Sequence, residues 1–360
     1  MYELRLHKAD GRSLTLYSRR AIPPGIAATA VPGSAAASAA QLRWHVLRGE
    51  WVVYAPQRQE RTFLPPPEFN PLRAASDARY PTEVPAGDYD VAVFDNLFPA
   101  FSPQAPDPPA LTVPTAPAHG RCEVVVFTSN PEQSLAALPL DHLALVLEVF
   151  GRRSALAATD PRVKFVLPFE NRGAEVGVTL HHPHGQIYSY PFVPPVPARM
   201  QALQLEHLAQ RGTALLAELI ANESAAGSRV IYQGEHALAF VPVCARYPYE
   251  VWVAPRQAVP DFASLAPAAL LDLARALKTT LLKYDGLWQR PFPYVMAWYQ
   301  APLDDTPRAA YHLHAELYPS YRMPGRLKYL AGTELAAGTF VNDALPEEKA
   351  RELQAVAVQI

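Results

Sequence analysis

Histidine and glutamine side chains alternate with other residues in the segment His182-Pro183-His184-Gly185-Gln186. In an extended strand, alternate side chains point to the same face, so His182, His184 and Gln186 are expected to lie side by side. An imidazole with a pKa of about 6.5 is largely a free base at neutral pH, so it can bind a metal, transfer protons or attack an electrophile. A neighbouring amide can donate a hydrogen bond to developing negative charge. The pattern predicts a functional site and leaves the choice among these chemistries open.

The segment from Gly177 to Tyr188 is predicted to be a β-strand, because β-branched and aromatic residues dominate it. Pro183 has no N–H to donate to a neighbouring strand, so it predicts either an edge strand or a strand end. Gly185 has no Cβ and would allow a ligand or another backbone to come close.

Composition excludes several classes of function. The 360 residues are 49% hydrophobic and 18% charged, which indicates a folded protein of one large or two ordinary domains. The formal net charge of −2 gives no support to a nucleic-acid partner held by bulk electrostatics. The chain has 2 cysteines, far apart, so neither a disulfide framework nor a thiolate-rich zinc site is expected. A charged N-terminus and the lack of a long apolar run predict no signal peptide, no membrane span and a cytoplasmic location.

A unit of strand, helix, strand and histidine-bearing strand is predicted twice, ending at His184 and at His314. The second copy carries His312 and His314 but lacks the Pro and Gln of the first. Its histidines are therefore expected to have a binding or structural role rather than a catalytic one.

Three predicted regions follow from this layout. Residues 1–40 form a hairpin around Asp10-Gly11 and an Ala/Pro-rich arm. Residues 41–197 form an N-terminal domain that carries the catalytic motif, and residues 198–360 form a C-terminal domain. Amphipathic helices with apolar faces typical of a protein core are predicted at 139–157, 198–221 and 265–284.

The histidine motif in a duplicated chain resembles the galactose-1-phosphate uridylyltransferase family of the histidine-triad superfamily. The resemblance covers about residues 42 to 355, and its supporting segments are Phe94–Pro99, Phe169–Gly173 and Lys328–Gly332. It implies an α+β fold in which duplicated histidine-triad-like half-barrels form one mostly antiparallel sheet flanked by helices. It also implies a homodimer.

The same resemblance implies a reaction of galactose metabolism, the Leloir pathway. A uridylyl group would pass between UDP-glucose and galactose-1-phosphate, giving UDP-galactose and glucose-1-phosphate. His184 would be the nucleophile of a double displacement through a uridylyl-histidine. Gln186 stands where hydrolytic branches carry a third histidine, so it favours transfer and would donate to a phosphoryl oxygen. His182 would hold the strand in place.

The resemblance also implies a set of substrate-binding residues. Two arginines and an asparagine would contact the nucleotide: Arg58, Arg61 and Asn96. Asn171 and Gly173 would face the phosphates. Lys328 and Gly332 would lie near the hexose phosphate. For Arg58 and Arg61 the alternative interpretation is an ordinary solvated surface. For Lys328, substrate binding and a structural role both stay open.

Metal sites of the family are altered in this sequence. Many members hold zinc through two N-terminal cysteines, a distant histidine and the first histidine of the motif. The matching passage Phe69–Arg73 contains no cysteine, the distant position falls near Gln133, and His182 alone remains. Positions of a second, iron-type site fall near Met200, Tyr299, His314 and Glu316. The sequence therefore predicts that no metal or other cofactor is required.

Two rival functions stay open. A related nucleotidyltransferase or phosphorylase could use another sugar-1-phosphate or an adenine nucleotide, because the sequence does not show how the base is read. A non-catalytic nucleotide-binding relative is the rival from a different class. The presence of Pro183, His184 and Gln186 argues against it.

Overall fold

The computed structural model describes residues 1–29, 31, 39–60, 65–66, 69–75 and 81–360, so the predicted site residue Arg61 lies outside the described residues. Within these ranges the strands are β1 (Tyr2–His7), β2 (Ser13–Ser18), β3 (Gln41–His45), β4 (Glu50–Tyr54), β5 (Val91–Asp95), β6 (Thr115–Pro117), β7 (Arg121–Val126), β8 (Phe165–Arg172), β9 (His184–Tyr190), β10 (Val230–Gln233), β11 (Ala237–Phe240), β12 (Val251–Pro255), β13 (Tyr294–Tyr299), β14 (His314–Pro319), β15 (Tyr321–Met323) and β16 (Arg326–Leu327). The helices are α1 (Leu140–Ala157), α2 (Pro195–Arg211), α3 (Leu215–Ala226), α4 (Pro267–Leu287) and α5 (Pro346–Gln354). None of these helices is long and apolar enough to cross a membrane.

Eleven strands form one antiparallel sheet in the order β1-β2-β5-β7-β9-β8-β13-β14-β12-β11-β10. The order is nearly symmetric about the junction of β8 and β13, because β9 and β14 come next on either side and β7 and β12 follow them. The strands that follow the two histidine pairs therefore occupy equivalent places in two halves of one sheet. The predicted duplication and the mostly antiparallel α+β fold are confirmed. The domain boundaries at 40/41 and 197/198 stay predictions.

The two faces of the sheet are covered differently near the motif. Helices α1 and α4 pack on one face, and their core includes Val125 and Ile187. Val124 and Val126 point to the opposite face, where they join a separate apolar cluster. They are the direct cross-strand partners of Gln186 and His184, so these two polar side chains also face away from the helices.

The predicted single helix at 198–221 is wrong, because two helices occupy this region. Gly212 ends α2 in the left-handed conformation, with φ at +73°, and its N–H donates to Leu208 O at 2.8 Å. Helix α3 then begins at Leu215 and packs on the C-terminal half of the sheet, where Leu216 and Ile220 meet Phe240.

The hairpin predicted around Asp10-Gly11 is formed by β1 and β2, and β2 extends the main sheet by pairing with β5. Two cations at its turn are buried against one carboxylate. Lys8 Nζ lies 2.6 Å from Glu83 Oε2, and Arg12 Nη2 lies 2.9 Å from Glu83 Oε1. The hairpin thereby fixes the segment around Glu83.

Candidate active site

The histidine motif lies at the start of β9, a central strand of the sheet. Strand β9 pairs with β7 on one side and with β8 on the other, so the prediction of an edge strand at Pro183 is wrong. The alternative prediction, that Pro183 marks a strand end, is confirmed. Pro183 directly precedes the strand, and its carbonyl accepts a hydrogen bond from Phe127 N at 3.3 Å. The predicted strand at 177–188 is wrong in its first half, because an irregular segment follows the turn at Ala174–Val176 and continues to Pro183.

Gly185 allows close packing inside the sheet. A Cβ at this position would lie 2.8 Å from Phe127 Cζ and 2.9 Å from Phe169 O. Of the two alternatives that the sequence left open, the structure shows the approach of another backbone, that of β8, together with an aromatic ring.

A chain of hydrogen bonds sets the tautomers of the two histidines. His182 Nε2 lies 2.7 Å from Thr128 O, and His184 Nδ1 lies 2.7 Å from His182 O. A carbonyl oxygen only accepts hydrogen bonds, so each of these nitrogens carries a proton. The lone pair of His182 is therefore on Nδ1, and that of His184 is on Nε2.

Both imidazoles are held in the neutral form at neutral pH. Burial lowers the pKa of His182 to about 4, although the hydrogen bond to Thr128 O opposes this effect. Burial also lowers the pKa of His184, against the opposing hydrogen bond to His182 O. A neutral imidazole whose lone pair lies on the nitrogen remote from the backbone has the form that a nucleophile needs.

His184 and Gln186 line a pocket of about 130 Å³. The predicted residues Arg58 and Asn96 line the same pocket, so four of the residues singled out from the sequence meet there. Arg58 Nη1 donates to Phe98 O at 2.8 Å, and Asn96 Oδ1 accepts from Phe98 N at 2.9 Å. These two bonds hold the segment 96–98 against the pocket.

The other predicted binding residues do not belong to the described wall of this pocket. Asn171 lies near the end of β8, and Gly173 begins the turn that follows, with φ at +98°. A Cβ at Gly173 would lie 2.6 Å from Pro293 Cβ. Lys328 and Gly332 lie in the C-terminal segment after β16, where Lys328 Nζ is 3.3 Å from Glu334 Oε1.

Some residues of the site were not found from the sequence. The apolar part of the pocket wall includes Leu72, Leu97, Phe98, Val124 and Leu180. Asn70 donates from its side-chain nitrogen to His182 Nδ1 at 3.3 Å. The signal for Asn70 was the dipeptide Asn70-Pro71, which is typical of a turn, but nothing local predicted its contact with the motif.

The second half of the sheet repeats the arrangement of the backbone and histidines. His312 Nε2 lies 2.7 Å from Pro255 O, and His314 Nδ1 lies 2.9 Å from His312 O. The surroundings of Nε2 on the second histidine differ between the halves, because His314 Nε2 lies 3.3 Å from Glu316 Oε1. Glu316 occupies the place of Gln186, and Arg246 Nη2 lies 3.3 Å from its carboxylate.

A zinc ion does not fit the described residues around His182. Metal binding needs a ring lone pair, and the lone pair on Nδ1 already accepts a hydrogen bond from Asn70. In the part of the chain that the structure describes, no group of three or more His, Cys, Asp or Glu residues could hold a metal ion.

A larger cleft of about 890 Å³ lies on the helix-covered side, between the N-terminal hairpin and α1. Two arginines in this cleft are already paired with carboxylates. Arg152 Nε lies 2.5 Å from Glu3 Oε2, and Arg19 Nη1 lies 2.6 Å from Asp141 Oδ2. The smaller pocket is lined by His184 and Gln186 of the motif, so it is the better candidate for the active site.

Two family models match the chain in succession. The N-terminal domain of galactose-1-phosphate uridyl transferase matches residues 33–194, and the C-terminal domain matches residues 201–360. The chain belongs to the galactose-1-phosphate uridylyltransferase family. It is thus an enzyme, a transferase, and the resemblance inferred from the sequence is confirmed.

Individual members of the galactose-1-phosphate uridylyltransferase family match nearly end to end. The protein of that name from Streptomyces lividans is 34% identical over 367 residues, which cover 97% of this chain and 96% of the relative. That from Thermotoga maritima is 33% identical over 328 residues, covering 89% and 99%. A solved structure of a uridylyltransferase superposes with a TM-score of 0.79 at 32% identity and covers 88% of this chain and 98% of its own.

Proposed function

We propose that this enzyme transfers a uridylyl group between UDP-glucose and galactose-1-phosphate, with His184 as the nucleophile. The observation that carries the proposal is the state of His184: a neutral imidazole with its lone pair on Nε2, lining the same pocket as Gln186. Membership in the galactose-1-phosphate uridylyltransferase family supports the choice of substrates.

The proposed reaction is a double displacement. His184 Nε2 attacks the α-phosphorus of UDP-glucose, and a P–N bond forms as the bond from that phosphorus to the bridging oxygen breaks. Glucose-1-phosphate leaves with that oxygen and its electron pair. A phosphate oxygen of galactose-1-phosphate then attacks the same phosphorus, the P–N bond breaks, and UDP-galactose leaves. His184 returns to its starting state.

Proposed roles for the other residues follow from their positions. Gln186 is a neutral donor beside His184, suited to a non-bridging phosphoryl oxygen, where charge accumulates in the transition state. Arg58 supplies positive charge at the same wall, and Asn96 contacts the nucleotide. A pocket of about 130 Å³ accommodates only part of a nucleotide sugar.

The residues outside the described pocket wall keep the roles that the family resemblance implies, as proposals. Asn171 and Gly173 would face the phosphates, Arg61 the nucleotide, and Lys328 with Gly332 the hexose phosphate. The homodimer belongs to the same proposal. Sedimentation velocity of the purified protein should give the mass of two chains, and a single-chain mass would contradict it.

The intermediate can be trapped. UDP-glucose labelled at the α-phosphate should label the wild-type protein after denaturation in base, and the label should be lost in acid, as expected for a phosphoramidate. His184→Ala should remove the labelling because it removes the attacking nitrogen. His181→Ala is the matched control, since His181 is an exposed neighbour in the same motif, and it should label normally. Normal labelling of His184→Ala would refute the proposal.

Exchange experiments separate the rival functions. UDP-glucose should support exchange of label with glucose-1-phosphate, whereas ADP-glucose should support it at a much lower rate. The reverse preference would indicate an adenine-nucleotide enzyme. The absence of exchange with either nucleotide would indicate a non-catalytic relative.

A further inference from the structure

Both ring nitrogens of His182 are occupied in this buried position. Its side chain is almost fully enclosed, with 1% of the residue exposed. Nε2 donates to Thr128 O at 2.7 Å, so Nδ1 must accept, and the donor it meets is the side-chain amide of Asn70 at 3.3 Å. The ring is thus held at both ends.

The amide of Asn70 is itself oriented. Its Oδ1 accepts a hydrogen bond from Leu72 N at 3.0 Å, so its NH₂ group is the part that faces His182. The turn that carries it is held in place, because Leu72 is buried in the apolar cluster on this face and Pro71 O accepts a hydrogen bond from Glu83 N at 2.8 Å. Asn70 therefore presents a fixed donor.

Asn70 is linked to the proposed nucleophile His184 through His182. His182 O is the acceptor that sets the tautomer of His184, at 2.7 Å from His184 Nδ1. If the His182 ring moves or changes tautomer, the segment that carries this carbonyl moves with it. The aim of His184 Nε2 therefore depends on the bond between Asn70 and His182.

The second half of the molecule provides an internal comparison. His312 repeats the hydrogen bond of His182 to a backbone carbonyl, at 2.7 Å, but among the described residues its buried Nδ1 has no hydrogen-bond partner. The donor is thus present in the half that carries the proposed nucleophile, and the other half lacks it. That difference is expected of a group that serves the reaction rather than the duplicated fold.

We propose that Asn70 is a positioning residue for uridylyl transfer, and that its amide, rather than a metal ion, meets the lone pair on His182 Nδ1. This inference rests on the proposed function of His184. A neutral donor is sufficient here, because His182 Nε2 already donates to Thr128 O and only the lone pair on Nδ1 needs a partner.

The test compares Asn70→Ala with Asn342→Ala. Asn342 makes the same two kinds of bond: its Oδ1 accepts from Ala344 N at 3.2 Å, and its Nδ2 donates to Ala245 O at 2.9 Å. Asn70→Ala should lower kcat by about 10–100-fold, the usual effect of losing a group that orients a key histidine, with little change in the KM for UDP-glucose. Asn342→Ala should leave kcat within about twofold of wild type, since it loses equivalent bonds away from His182.

A second variant separates positioning from folding. Asn70→Ser keeps a hydroxyl donor and should recover part of the lost kcat, and all variants should show the same far-UV spectrum as wild type. Equal kcat in folded Asn70→Ala and wild type would overturn the proposal, as would an equal loss in Asn342→Ala. A full equivalent of zinc whose removal by a chelator abolishes transfer would overturn it as well.

Failure of this inference is distinguishable from failure of the proposed function. If His184→Ala loses its label while Asn70→Ala keeps full kcat, only the role of Asn70 is refuted. If His184→Ala still transfers the uridylyl group, the proposed role of His184 as the nucleophile is refuted, and the role of Asn70 that rests on it is refuted as well.

Discussion

At the scale of single residues, the two histidine pairs differ in what surrounds Nε2 of the second histidine. His184 and His314 both donate Nδ1–H to the carbonyl two residues earlier, which leaves the lone pair of the neutral His184 ring on Nε2. His314 Nε2 faces the carboxylate of Glu316, whereas His184 lines a pocket with the neutral amide of Gln186. A carboxylate beside the reactive nitrogen would repel phosphoryl oxygens, so one substitution is enough to separate the two sites chemically.

Another carboxyl group near the motif should make stability depend on pH. Burial raises the pKa of Glu170 to about 7 from an ordinary value of 4.5, although the hydrogen bond from Tyr294 OH, at 2.8 Å, opposes this effect. Between these two pH values the folded chain binds more protons than the unfolded chain, so stability falls as pH rises. The shift corresponds to about 3 kcal/mol.

Glu170→Gln keeps an acceptor for Tyr294 and cannot ionise. Urea unfolding at pH 5 and pH 8 should therefore show a loss of stability in wild type that is smaller in this variant by up to about 3 kcal/mol. Glu235→Gln is the control, because that side chain is 86% exposed, and its stability should follow wild type. Parallel curves for wild type and Glu170→Gln would contradict the prediction.

At the scale of elements, the N-terminal hairpin supports the wall of the pocket. Its turn residues Lys8 and Arg12 bind Glu83, which itself lines the pocket and holds Pro71 through its backbone N–H. The hairpin lies outside residues 33–194, the part matched by the N-terminal family model. It thus stabilises the turn of Asn70 from outside the matched range.

Removal of the shared carboxylate should be costly. Glu83→Ala leaves Lys8 without its carboxylate and Arg12 with Asp10 alone. The Lys8 and Arg12 side chains are 0% and 5% exposed, so the free energy of unfolding should fall by about 3–5 kcal/mol. Asp88→Ala removes the nearby pair with Arg20, whose side chains are 68% and 75% exposed, and should cost less than about 1 kcal/mol. Chemical denaturation of both variants measures the difference. Similar losses in the two would contradict a role for burial.

At the scale of the whole molecule, two similar halves share one sheet but only one carries the proposed reaction. The strand order places β9 and β14 at equivalent distances from the junction of the halves, so topology alone does not choose between them. The choice is made by side chains: Gln186 against Glu316, and a donor for His182 that His312 lacks among the described residues.

The labelling stoichiometry should reflect this asymmetry. Saturating labelled UDP-glucose should deposit one uridylyl group per chain, because the carboxylate of Glu316 lies beside Nε2 of the second histidine. His314→Ala should retain the full equivalent of label. Two equivalents in wild type, or loss of the label in His314→Ala with the fold intact, would show that the second half takes part in the reaction.

Local patterns were sufficient for much of the architecture. The turn at Asp10-Gly11, helix α1 and the duplicated histidine pairs were predicted from residue types and periodicity, because each depends on interactions between near neighbours in sequence. The break at Gly212 was missed because leucines continue on both sides of it, and the strand at 177–188 was overextended because β-branched residues also occur in the irregular segment.

The sequence by itself determined the family and singled out the proposed nucleophile and its neighbour Gln186, since HPHGQ in a duplicated chain is specific. The tertiary structure decided which residues surround them. Asn70 is 112 positions from His182, and Thr128 is 54 positions away, so their contacts depend on how loops and strands meet across the sheet. The tautomer of His182 follows from those contacts. A hydrogen bond between distant segments leaves no local pattern of residues, and only the folded chain shows it.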